Sequence, residues 1–170
     1  MAWRLALVIG ALTLAAVIIQ VTLLSRLGLP GATPDLVVVV VVSIALAAGP
    51  TNGVIAGFVA GMLVDLAPPA DTPLGVNALI YIVIGYVAGV AINPRDRTVV
   101  VMIGLVSASA GFAVIATSAL DALLGSERVA WDAVGGMALS SALYALILAP
   151  IGVLGVRWLV ARAVPEVLVA

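Results

Sequence analysis

Five long stretches without a single charged residue limit what this chain can fold into. They cover residues 5–25, 36–64, 72–94, 98–120 and 133–156, and the seven basic and eight acidic side chains all lie between or beyond them. A soluble domain has about 25% charged residues, whereas this chain has 9% charged and 65% hydrophobic residues. Because a water-facing surface cannot be built from such a composition, the sequence predicts an all-α integral membrane protein.

The first stretch, residues 5–25, has the length of one membrane-spanning helix. It follows Arg4 and so looks like the start of a secretory signal peptide. The apolar core of such a signal is about 7–15 residues long, and a small-residue cleavage site follows it closely. This stretch is longer and has no such site nearby, which indicates a membrane helix that is retained.

The stretch over residues 36–64 is too long for a single helix across the membrane. As one helix it would be roughly 44 Å long, against a hydrocarbon core of about 30 Å. Its middle carries the pair Gly49-Pro50, and a proline inside a helix costs about 3 kcal/mol. We therefore predict two short helices, 34–49 and 51–66, that form a hairpin. They either cross a locally thinned bilayer or dip into it and return.

The predicted architecture is a single transmembrane domain over residues 1–170, built as one bundle of about six helices. The predicted segments are 5–25, 34–49, 51–66, 73–92, 98–120 and 133–156. After Val156 a separate short helix at the membrane surface is expected, because Trp158 and Leu159 lie between Arg157 and Arg162.

The arginines orient these segments. With six segments, both termini lie on the side that carries Arg4, Arg95, Arg97, Arg157 and Arg162, while Arg26 and Arg128 lie on the other. The positive-inside rule makes the arginine-rich side cytoplasmic. Five segments with an external N-terminus would distribute the arginines equally well. The choice of six therefore depends on the length of stretch 36–64 and on its Gly-Pro pair.

Two glycine stripes are the clearest packing signals. Gly53, Gly57 and Gly61 recur every four residues, and Gly85 and Gly89 repeat the spacing in the next predicted segment. Four-residue spacing places glycines on one helix face, where another backbone can approach closely. These stripes either pack inside the bundle or dock a transmembrane helix of a partner.

A few polar residues lie at the ends of apolar segments. Asp65 closes the second leg of the hairpin, and such a carboxylate either bonds to nearby backbone or belongs to a binding site. Asp35 is expected to cap the second helix. Gln20 and Asn77 are expected to hydrogen-bond across helices, and Tyr81 either lines a small pocket or bonds to backbone.

The missing residue types exclude several chemistries. The chain has no His and no Cys, and its basic residues are all arginines, which removes the usual zinc, haem, thiol and Schiff-base chemistry. No nucleophile or base is arranged around the two carboxylates, so we predict no catalytic residue, no metal and no cofactor. Scattered arginines make no basic patch, which argues against nucleic-acid binding.

Two segments resemble a known family. Residues 57–65, GFVAGMLVD, followed by residues 73–79, PLGVNAL, resemble a stretch of MreD, a bacterial rod shape-determining membrane protein. Gln20 in the first segment and Pro34-Asp35-Leu36 at the start of the Val-rich second segment also lie where MreD-like chains have similar residues. The last two segments match the family only in hydrophobicity.

The resemblance implies a non-enzymatic component of the complex that elongates the lateral cell wall and maintains rod shape. The implied location is the bacterial inner (plasma) membrane, with several passes and both termini in the cytoplasm. The implied partners are an MreC-like protein, a RodA-type polymerase and a class B transpeptidase, either directly or through MreC, and the actin-like MreB on the cytoplasmic side. The family's fold is thought to be similar to the substrate-binding subunits of energy-coupling vitamin transporters.

The candidate functional residues form two sets. The glycine stripes are the predicted helix-packing or partner interface, and the outer side carries a candidate cluster of Asp35, Asp65, Pro73, Gly75 and Asn77. The alternative function is a small-ligand-binding membrane subunit of a vitamin transporter, with a cavity near Asp65, Asn77 and Tyr81. A channel would need a ring of charges or a filter motif, and the sequence has neither.

Overall fold

The computed structural model describes residues 2–26, 28, 31–68, 73–91, 98–126 and 129–163. Within these residues the chain forms six α-helices and no strand, which confirms the predicted all-α bundle. The helices are α1 (Ala2–Thr22), α2 (Leu36–Ala48), α3 (Pro50–Leu66), α4 (Val76–Ala91), α5 (Val99–Leu123) and α6 (Trp131–Ala163), with a short 3-10 turn at Leu24–Arg26.

Helix α2 is the centre of the bundle. Every residue from Val37 to Ala47 is buried, as expected for a helix that is hydrophobic on all sides. The other five helices surround it in the order α1, α3, α4, α5, α6 and back to α1, and each of them also contacts α2. The most extensive contacts within this ring join α3 to α4 and α5 to α6.

A single residue joins α2 to α3, where the sequence predicts the turn of the hairpin. Gly49 has a φ of +88°, a left-handed conformation that favours glycine. Its N–H donates to the carbonyl of Ala45 and closes α2, and Pro50 opens α3 at a position where its missing N–H is not needed.

Helix length divides the bundle into two groups. Three segments, Trp3–Arg26, Val99–Leu123 and Trp131–Ala163, are long and apolar enough to cross a membrane. The other three helices have 13, 17 and 16 residues, which corresponds to about 20–25 Å. The two alternatives for the 34–66 hairpin, crossing a thinned bilayer or dipping in and returning, therefore both stay predictions.

The expected separate helix after Val156 is wrong, because α6 continues without a break to Ala163. No glycine or proline lies between these two residues, and the buried Val160 keeps the last turns packed on the bundle. The Arg162 guanidinium lies 4.0 Å from the centre of the Trp158 ring, so the predicted aromatic and basic residues form the end of α6.

The orientation depends on residues that include Arg95, Arg97 and Arg128, which lie outside the described part of the chain, as does Asp71. The side of the membrane on which each terminus lies therefore stays a prediction.

Candidate functional site: a buried polar network around Asp65

Asp65 is buried at the end of α3, with 2% of its surface exposed. Its Oδ2 accepts hydrogen bonds from the backbone N–H groups of Gly75 at 2.8 Å and Ala78 at 3.3 Å. Its Oδ1 accepts from the side-chain Nδ2 of Asn77 at 2.8 Å and from the backbone N–H of Asn77 at 3.3 Å. Four donors therefore surround this carboxylate.

Three of these donors are backbone groups at the start of α4, so Asp65 acts as the cap of that helix. The first N–H groups of a helix have no partner within the helix, and the helix dipole favours a negative charge there. This cap is unusual because it comes from the preceding helix rather than from the residue before α4. The carboxylate therefore joins the end of α3 to the start of α4.

The turn before α4 has the geometry that this contact needs. Gly75 has a φ of +96°, a backbone conformation that side-chain-bearing residues rarely adopt. The carbonyl of Pro73 accepts the N–H of Val76 at 3.3 Å, and the carbonyl of Gly75 accepts the N–H of Leu79 at 2.9 Å. The turn therefore directs several N–H groups towards one point, which Asp65 occupies.

Asp35 plays the same part for the central helix. Its Oδ1 accepts the N–H of Val38 at 3.0 Å, which is the predicted N-terminal cap of α2. Gln20 of α1 accepts the N–H of Val37 on its Oε1 at 2.9 Å. The Tyr81 hydroxyl of α4 donates to the Asp35 Oδ2 at 3.2 Å.

These contacts form a polar network of Gln20, Asp35, Asp65, Asn77 and Tyr81. We call it the buried polar network after Asp65 and Tyr81, which are buried; the other three members are half-buried. It joins α1, α2, α3 and α4 at one end of the bundle. Asn77 and Tyr81 lie one turn apart on the same face of α4. Asn77 bonds to Asp65, and Tyr81 bonds to Asp35. Both carboxylates of the network, those of Asp35 and Asp65, are hydrogen-bonded to protein groups.

The glycine stripes lie directly beneath this network and face each other. A Cβ atom on Gly53 would lie 2.5 Å from the carbonyl oxygen of Gly85, and one on Gly57 would collide with the Tyr81 backbone. Gly61 faces the backbone of Ala78. Both stripes are therefore buried in the contact between α3 and α4.

Gly89 completes this contact at the other end of the helix pair, where it faces Pro50. All five glycines of the two stripes are buried. A partner helix could reach them only if α3 and α4 separated.

The structure brings together most of the candidate outer-side cluster. Asp65, Gly75 and Asn77 are in direct contact, and Asp35 is linked to α4 through Tyr81. Pro73 is exposed and takes part only through its carbonyl group.

The bridging role of Tyr81 was not predicted, although its four-residue spacing from Asn77 was a signal that could have shown it. The hydroxyl groups that join the last two helices were also missed. Ser107 donates to the carbonyl of Ala142 at 2.9 Å, and Ser141 donates to the carbonyl of Ala110 at 3.3 Å. Serines in apolar helices commonly bond within their own helix, so the sequence carries no signal for these contacts.

Two apolar cavities between ring helices are lined entirely by residues that the structure describes. One of about 320 Å³ lies between α1 and α3 and is lined by residues that include Ile9, Thr13 and Ile55. The other, of about 280 Å³, lies between α4 and α5 and is lined by residues that include Val87 and Phe112. No member of the buried polar network lines either cavity.

A ring of apolar helices around a buried central helix, with its polar groups bonded to one another, defines a small all-helical membrane protein. A family model described as rod shape-determining protein MreD matches residues 1–150. The chain belongs to the MreD family, as the motifs at residues 57–65 and 73–79 suggested. The match also covers α5 and part of α6, where sequence reasoning found only hydrophobicity. No curated protein and no solved structure matches the chain.

Proposed function

We propose that this protein is a non-enzymatic scaffold of the complex that elongates the lateral cell wall. Membership of the MreD family implies a role in determining rod shape, and the apolar helices agree with an inner-membrane location. The proposed partners are an MreC-like protein, the RodA-type polymerase with its class B transpeptidase, and MreB. In this proposal the protein crosses the membrane several times, with both termini in the cytoplasm.

The observation that carries the scaffold proposal is that the carboxylates of the buried polar network accept their hydrogen bonds from other parts of the protein. Asp65 accepts four hydrogen bonds from α4 and its turn, and Tyr81, with 3% of its surface exposed, donates to Asp35. A binding site for a small polar ligand needs polar groups that point into a cavity. Here these groups hold helices together, which suits a rigid body that positions other proteins.

In this proposal the glycine stripes act inside the protein and the partners contact its outward surfaces. The stripes hold α3 against α4 at short range, and small residues are a common means of helix association in lipid. Each ring helix has large apolar side chains that are exposed on the outside of the bundle, such as Leu14, Phe58, Leu79, Ile115 and Ile147.

Site-specific photo-crosslinking tests the proposal on all five ring helices. A photoreactive amino acid is placed at one of these five exposed positions at a time, so that α1, α3, α4, α5 and α6 are each sampled. Ile84, with 3% of its surface exposed, is the buried control position on α4. Each variant is expressed with its cell-wall partners, irradiated in the membrane and purified in mild detergent.

We expect crosslinks to an MreC-like protein or a wall-synthesis enzyme from one or two adjacent ring helices and none from Ile84. Adjacent helices should react together because a partner helix covers neighbouring surfaces of the ring. If none of the five positions crosslinks to a wall-synthesis protein while a transporter ATPase copurifies, the scaffold proposal is wrong.

A further inference from the structure

The cavity between α1 and α3, which we call the α1–α3 cavity, reaches from the outside of the bundle into its interior. Among the residues that line it, Gly10, Ile55 and Val59 are exposed, whereas Ile9 and Thr13 are buried. Its volume of about 320 Å³ lies in the lower part of the range of ligand pockets, about 300–1,000 Å³. At roughly 30 Å³ for each group of the size of a water molecule, it holds about ten such groups.

Thr13 brings an unusual hydroxyl group to this cavity. The side chain is 1% exposed, and its Oγ1 is buried without a hydrogen-bond partner among the described residues. A threonine in an apolar helix commonly donates to the carbonyl four residues earlier, as Thr22 and Thr117 do here. Thr13 makes no bond of this kind, so its hydroxyl is left for a group from outside the chain.

The position of Thr13 in α1 limits where such a group comes from. A buried polar group without a partner destabilises a fold, and a valine of the same shape would avoid this cost. Thr13 lies roughly 13 Å or more from either end of α1 at 1.5 Å per residue. The hydrocarbon core of a bilayer holds no water to hydrogen-bond there, and ordinary acyl chains have no polar atom at this depth. A lipid-soluble molecule with a polar group of its own would supply the missing partner.

The rest of the lining indicates the chemistry of that molecule. Apart from Thr13, the polar side chain in the lining is Asn52 on α3, and its Nδ2 donates to the carbonyl of Ala48 at 2.6 Å. The described residues that line the cavity include no charged side chain. The lining therefore fits an uncharged hydrocarbon body with a single hydrogen-bonding group.

We propose that the α1–α3 cavity binds an uncharged lipophilic molecule of about ten heavy atoms, whose single polar group bonds to the hydroxyl of Thr13. The molecule enters from the hydrocarbon region of the membrane past Gly10, Ile55 and Val59. The site is separate from the buried polar network. The proposal depends on the membrane location and not on the scaffold function.

Photolabelling with a matched pair of probes tests the site. One probe is an octanol that carries a photoreactive diazirine, and the other is the corresponding octane without the hydroxyl. The protein is irradiated with each probe in mild detergent and in phosphatidylcholine nanodiscs, and mass spectrometry identifies the labelled residues. We expect the octanol probe to label α1 and α3 around the cavity about fivefold more strongly than the octane probe, which corresponds to one hydrogen bond.

The comparison of detergent with nanodiscs separates this ligand from bilayer lipid. Labelling of the cavity should persist in nanodiscs and should decrease when unlabelled octanol is added. If labelling of the cavity disappears in nanodiscs, acyl chains occupy it and the proposal is wrong. Equal labelling by the two probes would also overturn the proposal.

Gly10→Leu tests whether the cavity itself is the site. A Cβ atom at Gly10 would have no other atom within 4 Å, so a larger side chain fits there and fills part of the cavity. Gly104→Leu on α5 is the matched control, because its Cβ would also have nothing within 4 Å and Gly104 does not line this cavity. Labelling of α1 and α3 should fall to background in Gly10→Leu and stay unchanged in Gly104→Leu. Equal labelling of the two variants would contradict the proposal.

Thr13→Val separates binding from folding. Without a probe this variant should unfold at a Tm no lower than that of the wild type, because the hydroxyl has no partner within the protein. Labelling by the octanol probe should fall about fivefold, while labelling by the octane probe should not change. A lower Tm without the probe, or unchanged labelling by the octanol probe, would show that the hydroxyl does not serve a ligand.

Discussion

Replacing Asp65 by Asn should destabilise the protein, although the two side chains have nearly the same shape. In the wild type each carboxylate oxygen accepts two hydrogen bonds. An asparagine keeps one acceptor oxygen and places an NH₂ group where the second oxygen was. In either orientation of the amide, two of the four donors of α4 and its turn then face the NH₂ group and have no acceptor.

The expected loss follows from these contacts. Leaving a buried donor without a partner costs about 1–3 kcal/mol. With a cost of about 1.5 kcal/mol for each donor, in the lower half of this range, the two donors together cost ~3 kcal/mol. Loss of the negative charge at the start of α4 adds about 0.3–1 kcal/mol. The total is about 3–4 kcal/mol, and a chain of this size shifts its Tm by about 2–4 °C per kcal/mol, or ~6–16 °C in all.

The assay is thermal unfolding in mild detergent, followed by the fluorescence of the native tryptophans. Asp132→Asn is the matched control, because Asp132 lies exposed in the first turn of α6 and loss of its charge at a helix start should cost no more than about 1 kcal/mol. Hydrogen exchange adds a local readout: the amide protons of Gly75 and Ala78 should exchange faster in Asp65→Asn. A Tm equal to that of Asp132→Asn would refute the role of Asp65 as the cap of α4.

Two further substitutions test the rest of the buried polar network. Tyr81→Phe removes the hydroxyl that donates to Asp35 and should lower the unfolding free energy by about 1 kcal/mol; an unchanged thermal midpoint would show that this bond adds nothing. Gln20→Leu leaves the N–H of Val37 without its acceptor and should cost about 1–3 kcal/mol. The matched control is Thr22→Val, which affects an exposed side chain bonded only to its own helix, and equal stability of the two variants would contradict the prediction.

The sequence predicted the helices well because hydrophobic length and turn residues act locally. Six segments, the Gly49-Pro50 turn and the Asp35 cap all follow from residues close together in the chain. The helix end after Val156 could not be predicted in this way. Its arginines suggested a separate surface helix, but α6 continues because Val160 packs on the rest of the bundle.

The candidate site was predicted as a set of residues but not as a network. Asp65, Gly75 and Asn77 belong to the two segments that resemble the MreD family, yet the resemblance does not show that the carboxylate is the acceptor for the start of α4. The contact of Tyr81 with Asp35 joins residues far apart in the chain. No local pattern specifies such a pair.

By itself the sequence determined that this is an all-helical membrane protein of the MreD family, because charge-free lengths and a short motif can be read along the chain. Only the tertiary structure decided that α2 is the centre of the bundle and that the glycine stripes face each other. It also decided that the Asp65 carboxylate accepts hydrogen bonds from the start of α4. These features depend on which helix lies beside which. Helix neighbours are set by the packing of whole surfaces, and the uniform hydrophobicity that identifies the helices carries almost no information about their order.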